Sequence, residues 1–246
     1  MVGGAASILS ARRAAGLAAV LALLIAWDAG AGVLPDLGHR PDLYLIALVV
    51  LPVTFIVPWL ALPAAASRWI PHIAAALVGL SFVLSLAGFG ALFNVSKLLA
   101  LTAIGFWFMS VFEALSWVVL IALIIPWVDV LSVWRGPTEY IVSEQPSLFE
   151  RVSIAFRLPG EEGSANIGPP DILFFSLFLA AAARFGLRLH VTWISMVGLL
   201  SLTLLSTDIF DLAGVPALPA IALGFLLPNA DLLWKAWRER GLEIRR

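Results

Sequence analysis

Apolar runs closed off by proline, glycine or charge recur along the chain at 14–34, 42–62, 71–93, 97–112, 114–134, 170–187, 189–206 and 214–228. Backbone N–H and C=O groups in lipid must be satisfied internally, so runs of this kind read as helices. At about 20 residues per crossing, the pattern predicts an all-α, polytopic transmembrane helix bundle of about eight spans. The stretch from Lys97 to Trp134 is too long for one ordinary span and is broken only around Glu113–Ser116. The last span is short, because Pro216 and Pro219 interrupt its start. The first run follows Arg12 and Arg13 and ends near Asp28, a layout shared with cleaved signal peptides. With so many spans after it, it is expected to stay.

Two polar segments stand apart. Arg135–Pro169 carries Glu139, Glu144, Glu150, Glu161 and Glu162 against Arg135, Arg151 and Arg157, and reads as a long acidic loop. From Asn229 to Arg246, Leu232, Leu233, Trp234 and Trp237 alternate with Lys235, Arg238, Arg240, Arg245 and Arg246, as in an amphipathic helix on a membrane surface. The chain therefore divides into N-terminal helices (1–112), the helices bearing the candidate site (113–228, with the hydrophilic loop 135–169) and a basic tail (229–246). Arg12 and Arg13, the turn with Arg184 and Arg188, and the basic tail fall on one side of an eight-span layout. By the Lys/Arg bias, that side is cytoplasmic. The expectation is a multi-pass integral membrane protein with cytoplasmic N- and C-termini; Arg40 and Lys97, on the other side, run against the bias.

Composition sharpens this picture. Of 246 residues, 61% are hydrophobic and 13% charged, where a soluble domain has about 45–50% and 25%. No large soluble domain fits. Fifteen basic against sixteen acidic residues give a net charge of -1, so no nucleic-acid partner is indicated. The absence of cysteine removes disulfides, thiolate nucleophiles and Cys-based metal sites. His39, His72 and His190 lie far apart with no H-E-x-x-H, and G-x-S-x-G is missing. No metal site and no cofactor is expected.

Two carboxylates sit where hydropathy disfavours them. Asp129 lies inside Ile-Ile-Pro-Trp-Val-Asp-Val-Leu-Ser-Val (124–133), where a central Asp costs about 2.5–3.5 kcal/mol on insertion scales. Asp171 opens the next span in Gly-Pro-Pro-Asp-Ile-Leu-Phe-Phe. Taken singly, Asp171 reads as a first-turn cap and Asp129 as a polar contact between helices. Taken together they lie on consecutive antiparallel spans. Two carboxyls at close range cannot both ionise, so one proton is shared and the pair supplies an acid and a base. Pro126 removes an intrahelical hydrogen bond beside Asp129 and can open the helix to water and substrate. Asp28, Glu113, Asp208 and Asp211 fall at span edges and are assigned to solvated positions. Trp27, Trp59, Trp69, Trp134, Trp234 and Trp237 lie near expected interfaces, as anchors.

From Glu113 to Leu227 the sequence resembles the presenilin and signal peptide peptidase family of intramembrane aspartyl proteases. The run ending Pro126-Trp-Val-Asp129-Val-Leu-Ser-Val-Trp-Arg-Gly-Pro137 is similar to the family's first catalytic span, with Val128 in place of its tyrosine. Gly168-Pro169-Pro170-Asp171 sits where the family has Gly-x-Gly-Asp, with Pro170 at the second glycine. Pro216-Ala217-Leu218-Pro219 matches the Pro-Ala-Leu motif. The resemblance implies a presenilin-like fold and Asp129 and Asp171 as the catalytic pair. It implies that Gly168, Pro216, Ala217, Leu218 and Pro219 position the substrate, which would be a transmembrane segment or signal peptide. It departs in counting eight spans against the usual nine, and Pro170 lacks the N–H and backbone freedom of glycine. A loop outside the cytoplasm is the signal peptide peptidase orientation, which implies type II substrates.

Other readings stay open. The same carboxylates suit a proton- or cation-coupled transporter, although no inverted repeat is visible. A catalytically silent, helix-binding relative is a further reading, which Pro170 keeps in play; a prepilin-peptidase-like protease is disfavoured by the Pro-Ala-Leu-Pro block. The expected partners are the lipid bilayer and substrate transmembrane segments, and the pattern is compatible with a homo-oligomer.

Overall fold

The computed structural model describes residues 8–135, 151–161, 163–210 and 215–243. Helix α1 (Ala11–Gly30) ends in a 3-10 turn, Ala31–Val33; α2 (His39–Leu45) continues through a π-turn, Ile46–Val50, into α3 (Leu51–Ala61) and a 3-10 turn, Leu62–Ala66. There follow α4 (Ile70–Leu86), α5 (Gly90–Ser110), α6 (Leu115–Arg135), strands β1 (Ile154–Arg157) and β2 (Ser164–Ile167), α7 (Pro169–Arg184), α8 (Leu189–Phe210), α9 (Leu218–Leu226) and α10 (Ala230–Glu243). Among the described residues, 5 stretches are long and apolar enough to cross a membrane: Ala11–Val33, His39–Ala66, Gly90–Ser110, Leu115–Ser132 and Leu189–Phe210. The chain is a helical bundle with the character of an integral membrane protein.

The long stretch expected to break near Glu113–Ser116 does so at 111–114, between α5 and α6. A second boundary moves. Residues 94–96, read from the sequence as a gap between spans, lie inside α5; the turn comes earlier, at Gly88, whose φ of 75° suits a residue without Cβ. Asn94 is thereby carried on a helix instead of in a loop, and Lys97, expected at the head of a span, lies about two turns inside it. The last span begins only at Leu218 and closes in a 3-10 turn, Leu227–Asn229. Within the acidic loop, β1 and β2 form an antiparallel hairpin that pairs Ile154 with Ile167 and Arg157 with Ser164.

Several contacts show the helices alternating in direction. At one end, Arg13 Nη1 at the start of α1 donates to the Trp59 carbonyl near the end of α3 (3.4 Å), and Arg184 at the end of α7 donates to Met109 near the end of α5 (3.4 Å). The same end holds a polar lock. The Asn229 side chain, fully buried, accepts from Arg188 N–H (3.0 Å) and donates to Thr192 Oγ1 and the Phe225 carbonyl (both 2.8 Å). Arg188 makes a bidentate pair with Asp231 (2.7 and 2.6 Å), whose hydrogen bond and charge hold the Asp231 carboxyl below its usual range. At the other end lie the hairpin, the α1–α2 connection, the end of α8 and the start of α9.

Prolines shape the interior. In the π-turn, Leu51 N–H reaches back to the Ile46 carbonyl, and Pro52 has no N–H for Ala47. Ser201 Oγ on α8 donates to that Ala47 carbonyl (2.7 Å). Pro63 likewise offers no N–H to Trp59, the carbonyl taken by Arg13.

The buried cluster runs through both the 1–112 and 113–228 segments. Phe55 packs on Phe175 at 4.1 Å and Phe178 stacks on Phe225 at 4.9 Å. Glycine permits two close crossings. A Cβ on Gly105 would lie 2.4 Å from the Leu173 carbonyl oxygen, and one on Gly224 would lie 2.5 Å from Met196 Cα. Such small-residue crossings let membrane helices approach backbone to backbone. Gly105→Ala and Gly224→Ala are each expected to cost about 1–3 kcal/mol by overpacking. Gly79→Ala on α4, with nothing within 4 Å of the new Cβ, is expected to be neutral or slightly stabilising. Thermal unfolding midpoints of the detergent-solubilised variants check the contrast.

Candidate active site

Helix α6 carries Asp129 past Pro126 to the start of α9, against which it packs. The start of α9 is poorly equipped to cap itself. Its N-cap residue is Ala217, which has no side-chain acceptor, and Pro219 at the second position has no N–H. The free donor is Leu218 N–H, and Asp129 Oδ2 accepts from it at 3.0 Å. The Ala217 N–H also faces that carboxylate. A side chain from another helix thus supplies the cap that α9 lacks. This contact brings Asp129 to the Pro216–Pro219 block, 89 residues away in sequence.

Asp171 is held by its own helix. Gly168 is the N-cap of α7 with an extended backbone (φ -64°, ψ 148°), Pro169 and Pro170 open the first turn, and Asp171 follows at the third position. Its N–H donates to the Gly168 carbonyl (3.1 Å) and its carboxylate turns back towards the Gly168 N–H, the acidic half of a capping box. A Cβ on Gly168 would meet Asp171 Oδ2 at 3.3 Å. Pro170 is accommodated without loss, because an amide in the first turn has no intrahelical acceptor. The capping role read for Asp171 taken singly is therefore present, and with it proximity to the second acid: the Asp171 carboxyl lies within direct electrostatic reach of Asp129. Both side chains are half-buried.

Beside the pair an open apolar cleft of about 460 Å³ runs between α6, α8 and the start of α9, lined by Val130, Leu202, Thr203, Ser206, Pro216 and Pro219 among others. Pro216 and Leu218 are buried, and Pro219 forms part of the cleft wall. Gly168, Pro216, Ala217, Leu218 and Pro219 therefore all lie at the two helix starts that hold Asp129 and Asp171. No protein-family model matches the chain, and no match was found among curated proteins or solved structures.

The sequence reading missed how the hairpin is held. Asn94 on α5 meets β1 edge-on: its Nδ2 donates to the Ala155 carbonyl (2.6 Å) and its Oδ1 accepts from Ala155 N–H (3.0 Å), as a neighbouring strand would. Lys97 Nζ donates to the carbonyls of Arg151 (3.1 Å) and Ser153, and Ser153 Oγ donates to Asn166 Oδ1 (3.0 Å). β2 then runs straight through Gly168 into α7. The hairpin itself, though not its hold on α5, had a signal: Pro159-Gly160 marks a turn between Ile154/Phe156 and Ala165/Ile167.

The remaining acids distribute differently from expectation. Asp28 does not face outward; it is 9% exposed and pairs with Arg157 at 3.8 Å, because the hairpin brings that arginine over the end of α1. Asp208 is bridged by His39 (3.5 Å) and Arg40 (3.3 Å). Glu113 sits exposed in the α5–α6 turn, and Asp211, Glu139, Glu144, Glu150 and Glu162 lie outside the described residues. Trp27 is not a free interfacial ring either, since its Nε1 is buried; Trp69, Trp234 and Trp237 are exposed.

The cap makes a measurable demand on Asp129. Asp129→Ala removes the Leu218 acceptor and is expected to cost about 0.5–2 kcal/mol, whereas Asp129→Asn keeps an amide oxygen there and costs little. Comparison of the two unfolding midpoints checks this.

Proposed function

We propose that the chain is an intramembrane aspartyl endopeptidase that hydrolyses transmembrane segments or signal peptides, with Asp129 and Asp171 as its catalytic pair. The observation that carries this reading is that Asp129, held by the Leu218 N–H at the start of α9, stands within electrostatic reach of Asp171 at the start of α7, so that two carboxyls from different helices face one another. It rests also on the resemblance of the three motif blocks. The presenilin-like arrangement and cytoplasmic termini belong to the same proposal.

In this mechanism the pair holds one proton. The ionised carboxyl takes a proton from water as its oxygen attacks the scissile carbonyl carbon, and the protonated one donates to the carbonyl oxygen. The carboxyl that took the water proton then gives it to the departing amide nitrogen as the C–N bond breaks, and a hydroxyl of the gem-diol returns its proton to the other carboxyl as the C=O re-forms, leaving the pair with one proton. Since Asp129 Oδ2 is committed to Leu218 N–H, its other oxygen is the one that handles the proton.

Substrate would enter through the apolar cleft and meet the outer edge of β2, which pairs with no other strand among the described residues. Ala155 spends its N–H and C=O on Asn94. By strand geometry, its partner Asn166 on β2 then points its own N–H and C=O away from β1. That edge leads to Gly168 and Asp171, so an unwound substrate segment paired there arrives extended beside the carboxyls, which is the conformation peptide hydrolysis needs.

The test is cleavage of a single-span reporter by the purified protein in liposomes. Asp129→Asn and Asp171→Asn are each expected to lower the rate by about 10²–10⁴-fold or more, and the wild-type profile is expected to be bell-shaped in pH, as for a pair that must hold one proton. If well-folded wild-type protein cleaves no reporter in either orientation, and Pro170→Gly restores nothing, the protease reading fails and helix binding or ion passage takes its place.

A further inference from the structure

At the hairpin end, three acids from separate segments converge: Asp36 in the α1–α2 connection, Asp42 on α2 and Glu161 in the β1–β2 turn. One carboxylate oxygen from each lies within 4.8 Å of the other two. Asp36 and Glu161 are exposed. Asp42 is not: it is 2% exposed, and both its carboxylate oxygens are buried without a hydrogen-bond partner among the described residues. A buried carboxylate without a hydrogen-bond donor is among the costlier arrangements a fold can keep. His39 is within electrostatic reach of Asp42, but the ion pairs that the cationic groups make are with other acids. His39 and Arg40, on the same helix as Asp42, both bridge to Asp208, and Arg157 on the hairpin pairs with Asp28.

The backbone around the cluster is closely seated. Gly160 donates its N–H to the Ala31 carbonyl (3.1 Å), and with φ 68° it presses so near the α1–α2 connection that a Cβ would lie 2.4 Å from Asp36 N. Glu161, the next residue, is thus delivered to Asp36 and Asp42 by a tight contact between backbones.

We propose that Asp36, Asp42 and Glu161 form a divalent-cation site of the calcium class. The donors are all carboxylate oxygens, with no imidazole among them, which disfavours zinc. Ca–O distances of about 2.4 Å let two ligands on one ion stand up to about 4.8 Å apart, while the shorter Mg–O distance closes that limit to about 4.2 Å. For three ligands spread evenly around one ion these limits tighten to about 4.2 Å for calcium and about 3.6 Å for magnesium, so a trio within 4.8 Å of one another has less closing to do around calcium. The ion would neutralise Asp42 and tie the hairpin turn to the α1–α2 connection. This proposal does not depend on the protease reading.

The experiment is titration of chelator-stripped, full-length protein in nanodiscs with CaCl2, followed by calorimetry and by the unfolding midpoint, with MgCl2 as the comparison. One saturable calcium site is expected, with Kd on the order of 10⁻⁴–10⁻³ M as in shallow carboxylate sites, and the midpoint should rise with calcium. Affinity should fall at least about tenfold in Asp42→Asn and in Glu161→Gln, the loss of one charged ligand. Asp42→Asn should unfold no earlier than wild type in chelator, since it removes a buried unpaired charge, which separates lost binding from lost folding. The proposal is overturned if calcium neither binds saturably nor moves the midpoint into the millimolar range, or if binding persists unchanged in both variants.

Discussion

Inside a bilayer a backbone N–H or C=O has no water to turn to, and this chain contains 15 prolines, each a missing donor. Much of the architecture follows from how the orphaned groups are partnered. Pro52 leaves the Ala47 carbonyl to Ser201, Pro63 leaves Trp59 to Arg13, and the Ala217-Leu218-Pro219 start of α9 leaves a donor to Asp129. Each repair joins elements distant in sequence. The repairs are therefore also the ties that fix which helix lies beside which. The candidate active site is one of them, in which the capping group is a carboxylate.

The two ends of the bundle are built on different principles. One is closed by a compact hydrogen-bonded lock around buried Asn229, with Arg184 and Arg188 reaching across to neighbouring helices. The other is covered by a hairpin that α5 grips through Asn94 and Lys97. Lys97 and Arg40, which run against the charge bias in the sequence, turn out to be structural at this second end. One holds loop carbonyls and the other holds Asp208. Their charge is spent on the protein itself, which explains why a count of basic residues misjudges them.

What was readable in the sequence tracks what is local. The apolar runs gave the helices, because burial from water acts on every residue of a run. The juxtaposition of Asp129 with Pro216–Pro219 was expected only from the resemblance of the motif blocks, since nothing local in either segment marks the other as its partner. The Asn94–Ala155 pairing was not readable, since a single asparagine in a helix carries no mark of a strand edge 61 residues on. The boundary at Gly88 was missed for a related reason. Apolar Phe89 and Leu92 surround the turn, and hydropathy does not distinguish a glycine that bends the chain from one that does not. Asp28 and Asp42 look like ordinary span-end acids until the hairpin folds over them.

The passage from β2 to α7 is short and stiff: Gly168, Pro169 and Pro170 alone separate Ile167 from Asp171. A helix turns about 100° per residue, so one residue inserted or deleted in this joint would rotate Asp171 off the face it shares with Asp129 or drag the strand out of register. Over evolutionary time, the length of this joint is therefore held by the fold itself, independently of which side chains it carries.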